Sequence, residues 1–187
     1  LIFGKTNFSD FPSPKIFFNY SNFSKTTAGV ATVISPEICN LYHHREVALP
    51  DSLRGYALCI VFEAKDGTHS FTSLNVYLSS GGFAVRTKQI RTLHATVPVS
   101  PHLTMGGDFN FVESRADCSG SFSATCLTGK ALLAWRTLKD KYNLRDIAQE
   151  AHTRFGRGAK RPSSARLDRF YTSTSDAEVA LLAQLTY

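Results

Sequence analysis

The sequence predicts a mixed α/β fold built as one domain. Three observations carry that prediction. Short runs rich in β-branched and aromatic residues recur through the first 110 residues. Two segments place their apolar residues at helical spacing. The chain has 187 residues, 43% of them hydrophobic, which suffices for a core that buries roughly 70% of the unfolded surface. That apolar content also excludes disorder as the main state, because burial offsets the entropy of ordering.

The elements follow in order. Lys15 to Tyr20 is a short strand with two consecutive phenylalanines, and Ala28 to Ser35 is a strand rich in β-branched residues. Gly55 to Phe62 is apolar on both faces, which places it centrally in a sheet. Asp66-Gly67 is a hairpin turn leading into the strand His69 to Leu78. Strand alternation sets Phe71, Ser73, Asn75 and Tyr77 on one of its faces. Ala84 to His94 reads as a helix with Ile90 and Leu93 facing inward. Leu103 to Met105 is a short strand that runs into Gly106-Gly107. Lys130 to Tyr142 reads as a second helix, with Leu132, Trp135 and Leu138 at helical spacing, Thr128 near its start, and Trp135 in the core. Arg154 to Pro162 reads as a flexible basic loop, because Gly and Pro interrupt helix and strand alike. Ala165 to Thr172 alternates as a strand, with Arg166 and Asp168 on one face and Leu167 and Arg169 on the other.

No apolar run reaches the ~18–20 residues of a membrane helix. The first residues lack the pattern of a signal peptide. A soluble, intracellular protein with no membrane partner is expected. The only methionine is Met105 and none precedes Leu1, so an excised piece of a longer chain is expected. Cys39, Cys59, Cys118 and Cys126 are too few for a disulfide scaffold. They read as reduced structural thiols, with Cys118 and Cys126 expected close in space but not at a zinc spacing. His43-His44 reads as a surface pair.

The net charge of +6 is unevenly placed. From Lys130 to Arg169 there are eleven Lys or Arg against four Asp or Glu, and the rest of the chain is close to neutral. The basic run around Arg157, Lys160 and Arg161 suits a phosphate backbone, and a solvated charged loop suits it equally.

The densest chemical signal is Gly106-Gly107-Asp108-Phe109-Asn110. A carboxylate and an amide two residues apart can hold a hydrated hard cation, a water to be activated, or a phosphate oxygen. The same residues also make an ordinary Asx-turn.

Several segments, in order, resemble the endonuclease/exonuclease/phosphatase superfamily, whose members include the abasic-site endonucleases. Ala28 to Ser35 resembles its Gly-Gly-Val-Ala-rich strand, and Asn75-Val76-Tyr77-Leu78 its Asn-x-Tyr strand. Gly107-Asp108-Phe109-Asn110 matches its Gly-Asp-Phe/Leu-Asn signature. Leu144-x-Asp146 resembles its Leu-x-Asp, and Ser164 to Tyr171 its Ser-x-Arg-Ile/Leu-Asp strand. Arg-Leu-Asp-Arg-Phe-Tyr with Leu-x-Asp upstream looks most like the endonuclease domain of non-LTR retrotransposons.

The resemblance implies a two-sheet α/β sandwich, incomplete here at both termini, within one partial domain spanning residues 1–187. It implies metal-dependent hydrolysis of phosphodiesters, with Mg2+ or Mn2+ as cofactor and DNA as partner. No protein partner is indicated. Asp108 resembles the residue that activates the attacking water. Asn110 resembles the phosphate holder, Tyr77 a donor to phosphate or leaving group, and Asp168 the carboxylate that orients a catalytic histidine. Asn75 is expected near the site rim. Arg157, Lys160, Arg161 and Arg166 are expected on the DNA-facing surface. The resemblance names no metal ligand in this chain, because the first-strand Asn, the metal-gripping Glu and the terminal Ser-Asp-His of the family have no counterpart here. A nicking DNA endonuclease from a retroelement, weak or inactive as this piece, is the expected function, and nuclear residence follows from it. A phosphatase of the same superfamily acting on inositol phosphates or phospholipid headgroups is the first alternative. A non-catalytic remnant or nucleic-acid-binding fragment is the second.

Overall fold

The computed structural model describes residues 13–20, 29–120, 126–149, 151–157 and 162–175. Its centre is a six-stranded sheet. In chain order its strands are β3 (Tyr42–Glu46), β4 (Ala57–Ala64), β5 (Ser70–Tyr77), β6 (Leu103–Asp108), β7 (Arg145–Asp146) and β10 (Asp168–Thr172). Across the sheet they run β3-β4-β5-β6-β10-β7. Only β5 and β6 are parallel, and the crossover between them is helix α2 (Phe83–Thr96). Two hairpins lie apart from this sheet: β1 (Lys15–Tyr20) with β2 (Gly29–Ile34), and β8 (Arg154–Arg157) with β9 (Pro162–Ala165).

Alternation along β4 explains the layers. Ala57 and Cys59 point to one face, into a core with Leu74, Val76, Met105, Ile90 and Leu93. Leu58, Ile60 and Phe62 point to the other, where Val30 and Ile34 of β2 cover them. The strand is thus buried on both sides, as its unbroken apolar run predicts. Phe71 and Tyr77 of β5 pack on the β1–β2 side, and Asn75 Nδ2 donates to Ala31 O of β2 at 2.8 Å. Asn75 therefore ties the hairpin to the sheet, on the same face of β5 as Tyr77.

Helices α2 and α3 (Gly129–Tyr142) cover the opposite face. Trp135 of α3 is buried among Phe109, Phe111 and Tyr171, with ring centroids 5.1–5.5 Å away and edge-to-face tilts. Edge-to-face pairs of this kind add about 0.5–1.5 kcal/mol each beyond area burial. The Tyr171 hydroxyl donates to Glu113 Oε1 at 2.6 Å, and Lys139 Nζ donates to Glu113 Oε2 at 2.5 Å, so both oxygens of the Glu113 carboxylate are paired, while the Trp135 indole N–H is buried without a partner among the described residues. α3 ends where Asn143 takes the left-handed conformation, φ 51°. Thr128 precedes the helix without a side-chain capping bond.

Three expectations need correction. The strand through Gly106-Gly107 does not stop at Met105; it continues to Asp108. The basic segment is not loop throughout, because Arg154–Arg157 pairs with Pro162–Ala165; residues 158–161 lie outside the described residues. Pro162 opens its strand, where a missing N–H is tolerated. The strand expected over Ala165 to Thr172 is broken at Arg166-Leu167, and β9 and β10 belong to different sheets. The short helix α1 (Pro36–Leu41) and strand β3 were not anticipated. His43 and His44 sit on β3, exposed and half-buried respectively. No helix among the described residues is long and apolar enough to cross a membrane.

Candidate active site

Register brings three of the predicted residues into one row. Tyr77 at the end of β5 pairs with Asp108 at the end of β6, and Asp108 pairs with Asp168 at the start of β10. Paired residues of neighbouring strands point to the same face. Tyr77 packs on the β1–β2 side, so all three side chains rise on that side. Val76 and Tyr171, one position out of phase with this set, point into the helical core instead.

Two glycines allow this closeness. At Gly106 a Cβ would lie 2.5 Å from Cε1 of Phe170 on β10. At Gly107, with φ +140°, it would lie 1.9 Å from the Val76 carbonyl oxygen. The pair therefore serves close strand approach inside β6, not a tight turn after it.

Each member of the row is held differently. The Tyr77 ring stacks on Tyr56 with centroids 6.2 Å apart and planes 3° apart. Among the described residues its hydroxyl has no hydrogen-bond partner. Asp108 Oδ1 accepts the Asn110 backbone N–H at 2.8 Å. This is the Asx-turn left open by the sequence, and it coexists with the functional reading because it leaves Oδ2 uncommitted. Asn110 adopts φ 50°, and its Nδ2 donates to Leu78 O at 2.8 Å. Asp168 is exposed, with its backbone N–H donating to Thr153 Oγ1. No histidine among the described residues hydrogen-bonds its carboxylate.

Burial pushes the Asp108 carboxyl above the usual aspartate value. The Asn110 N–H opposes this, the Asp168 charge adds to it, and Arg154 and Arg86 oppose it from further off. Arg86 is a participant that the sequence analysis missed. It lies on α2, 5% exposed, with Nη1 donating to Ser79 O at 2.8 Å and the guanidinium 4.8 Å from the Phe83 ring centroid. Beside it Gln89 Oε1 accepts the Ser79 N–H at 2.9 Å. The two side chains pin the segment that follows Tyr77. The signal was present: Arg86, Gln89, Ile90 and Leu93 form one helical stripe, and a cation on a core-facing stripe needs a partner.

The predicted DNA-contacting residues divide. Lys160 and Arg161 lie outside the described residues, as does the side chain of Arg157. Arg166 departs from the expectation: its guanidinium is spent on two carboxylates. Nε and Nη2 donate to Asp117 Oδ1 at 3.1 and 3.0 Å, and Nη2 donates to Asp146 Oδ2 at 2.5 Å. Arg169, 1% exposed, completes a quartet, with Nη1 2.9 Å from Asp146 Oδ2 and Nη2 2.8 Å from Asp117 Oδ2. Two cations against two anions leave the cluster neutral, which is how buried charge is tolerated. The expected separation of Arg166 and Arg169 onto opposite faces fails because the chain bends between β9 and β10. Asp146 thus serves as an anchor for this bend.

Burial alone would raise the Asp117 carboxyl, but the hydrogen bond and charge of Arg169, then Arg166, bring it down to about 2. A folded-state value below the unfolded one adds stability that is complete above about pH 4 and lost as pH falls through about 2. Discounted for its partial exposure, Asp117 is expected to account for about 1–2 kcal/mol of acid destabilisation across that window. Urea unfolding at both ends of the window checks this, and an Asp117→Asn variant should show a smaller loss.

The fold, a six-stranded sheet faced by helices on one side and by the β1–β2 pair on the other, is the mixed α/β fold of solved endonucleases of the kind that the resemblance implied. The endonuclease domain of TRAS1, a telomere-specific non-LTR retrotransposon, is similar with TM-score 0.57 at 11% identity, over 84% of this chain and 66% of its own. The AP endonuclease LMAP from Leishmania major gives 0.63 at 19% identity, over 86% and 62%. The 3′ phosphatase NExo from Neisseria, bound to a product DNA hairpin, gives 0.54 at 22% identity, over 88% and 68%. At these identities the fold is what is shared, and the chain spans less than two thirds of the first two. No protein-family model and no curated protein matches the sequence.

Proposed function

We propose that this chain carries the phosphoester-hydrolysing site of a metal-dependent DNA endonuclease. The observation that supports this best is the Tyr77-Asp108-Asp168 row with Asn110 at its end. Asp108 orients the attacking water. Asn110 keeps one amide hydrogen beyond the bond to Leu78, and donates it to a phosphate oxygen. The Tyr77 hydroxyl donates a second hydrogen bond to the phosphate. Developing negative charge is thereby met by donors fixed before the reaction begins.

Asp108 and Asp168 are the residues that would hold a divalent cation. Among the described residues no group of three or more His, Cys, Asp or Glu converges. Two carboxylates still fit Mg2+, which takes one or two and completes its shell with water and phosphate. When bound, the ion neutralises charge on the phosphate. The like-charge strain between Asp108 and Asp168 is the feature a cation would relieve.

Slow nicking of supercoiled plasmid in Mg2+ is expected, lost in EDTA and reduced about 10²–10⁴-fold in Asp108→Asn. Tyr77→Phe should cost roughly 10–100-fold, the value of one hydrogen bond to a charged group. Cleavage that survives Asp108→Asn or that persists in EDTA would overturn the reading. A retroelement origin is the version that the likeness to the TRAS1 domain supports, and nuclear residence would follow from that origin. The likeness to a 3′ phosphatase supports one other substrate, a terminal 3′ phosphate, and an end-labelled oligonucleotide separates it from an internal phosphodiester.

A further inference from the structure

The four cysteines take no part in this site, yet two of them lie together. Cys118 follows the short helical turn Arg115–Asp117 and forms an isolated antiparallel bridge with Ala165 of β9. Cys126 forms a parallel bridge with Val112. Val112, Ala165 and Leu167 make a small buried cluster, and both cysteines pack against it. Two separate backbone pairings thus bring both cysteines against one small apolar cluster, and Cys118 Sγ donates to Arg115 O at 3.7 Å. Both are free, and neither is fully buried. Cys59, by contrast, is sealed in the core, and Cys39 packs on the β1–β2 side.

We propose that Cys118 and Cys126 are a redox modification site that closes into a reversible intrachain disulfide. Disulfides need side chains that already face each other at short range, and most cysteine pairs fail that test. The co-reactant is a low-molecular-weight disulfide. One thiolate attacks a sulfur of that disulfide, giving a mixed disulfide and releasing one thiolate. The second cysteine then attacks the protein-bound sulfur and releases the other. Two electrons pass to the small disulfide, and the two protons end on the two small thiols it becomes. The ring closed is short, and Cys118 adjoins Asp117 of the ion quartet, so one end of the bond sits beside an anchored residue.

The test uses the whole chain incubated with glutathione disulfide and then mapped by proteolysis without reductant. The expected result is a loss of two hydrogens in mass, a fall from four titratable thiols to two, and one cross-linked peptide joining Cys118 to Cys126. Dithiothreitol should reverse it. The closed loop should raise Tm by roughly 5 °C. Cys39→Ser, remote from the pair, should still cross-link, and Cys126→Ser should stop at a mixed disulfide. Four thiols remaining after oxidation, glutathione adducts without an internal bond, or bonds between separate chains would each overturn the proposal.

Discussion

Gly107→Ala is expected to remove about 3–5 kcal/mol of stability, a large share of the ~5–15 kcal/mol that holds a domain together. The methyl group would sit 1.9 Å from the Val76 carbonyl oxygen and 2.9 Å from its carbonyl carbon. Both are backbone atoms of β5, so relief requires prising β5 from β6. The backbone at Gly107 also has φ +140°, which side chains of L-residues rarely adopt. The neighbouring position provides a control. At Gly106 the obstruction is the Phe170 ring, which is 50% exposed and can swing away. Gly106→Ala should therefore cost about 1–2 kcal/mol. Urea denaturation with unchanged m-values checks both. Equal effects at the two glycines would show that strand approach at Val76 is not the constraint.

Arg169→Met is expected to cost about 2–4 kcal/mol, because it removes the buried cation that bridges two partly exposed carboxylates. Arg169 sits between Asp117 and Asp146 and also donates Nε to Arg166 O at 3.2 Å, across the bend that leads into β10. Without it, one guanidinium faces two carboxylates, and the bend loses its brace. Arg169→Lys should recover only part, since a single ammonium cannot reproduce the planar fork. The loss should change little with added salt, because buried pairs are weakly screened. Denaturation at low and high ionic strength checks this. A loss under 1 kcal/mol would mean that the quartet is solvated and dispensable.

The two effects meet at Asp168. Gly107 sets how closely β6 lies to β5, and the quartet sets where β10 begins. Between them they fix the spacing of Tyr77, Asp108 and Asp168. Stability and site geometry are therefore expected to fail together in these variants.

Local patterns revealed much of this arrangement. The two-sided apolar run of β4 marked the sheet centre, and the alternation of Phe71, Ser73, Asn75 and Tyr77 marked the face that carries the site. Ile90, Leu93 and Trp135 marked helices that cover the other face. These features are local because side-chain period follows directly from backbone geometry. What stayed hidden depends on distant pairing. The His-His-Arg composition of β3 carries no alternating signal, and its place comes from pairing with β4. The β8–β9 hairpin contains Gly156 and Pro162, which locally argue against strands. Arg166 finds Asp117, 49 residues away, only after the chain folds back. Arg86 was hidden by its own charge, since a basic residue reads as exposed until its stripe is traced back from Ile90.

The most direct test of the central claim, that Asp108 and Asp168 form one coupled site, is a carboxyl-carbon NMR titration of Asp108. Wild type should titrate above the ordinary aspartate range, chiefly from burial. Asp168→Asn should move it downward by removing a neighbouring negative charge, and Mg2+ should move it the same way. An Asp108 carboxyl that titrates normally and ignores both Asp168→Asn and Mg2+ would contradict the account.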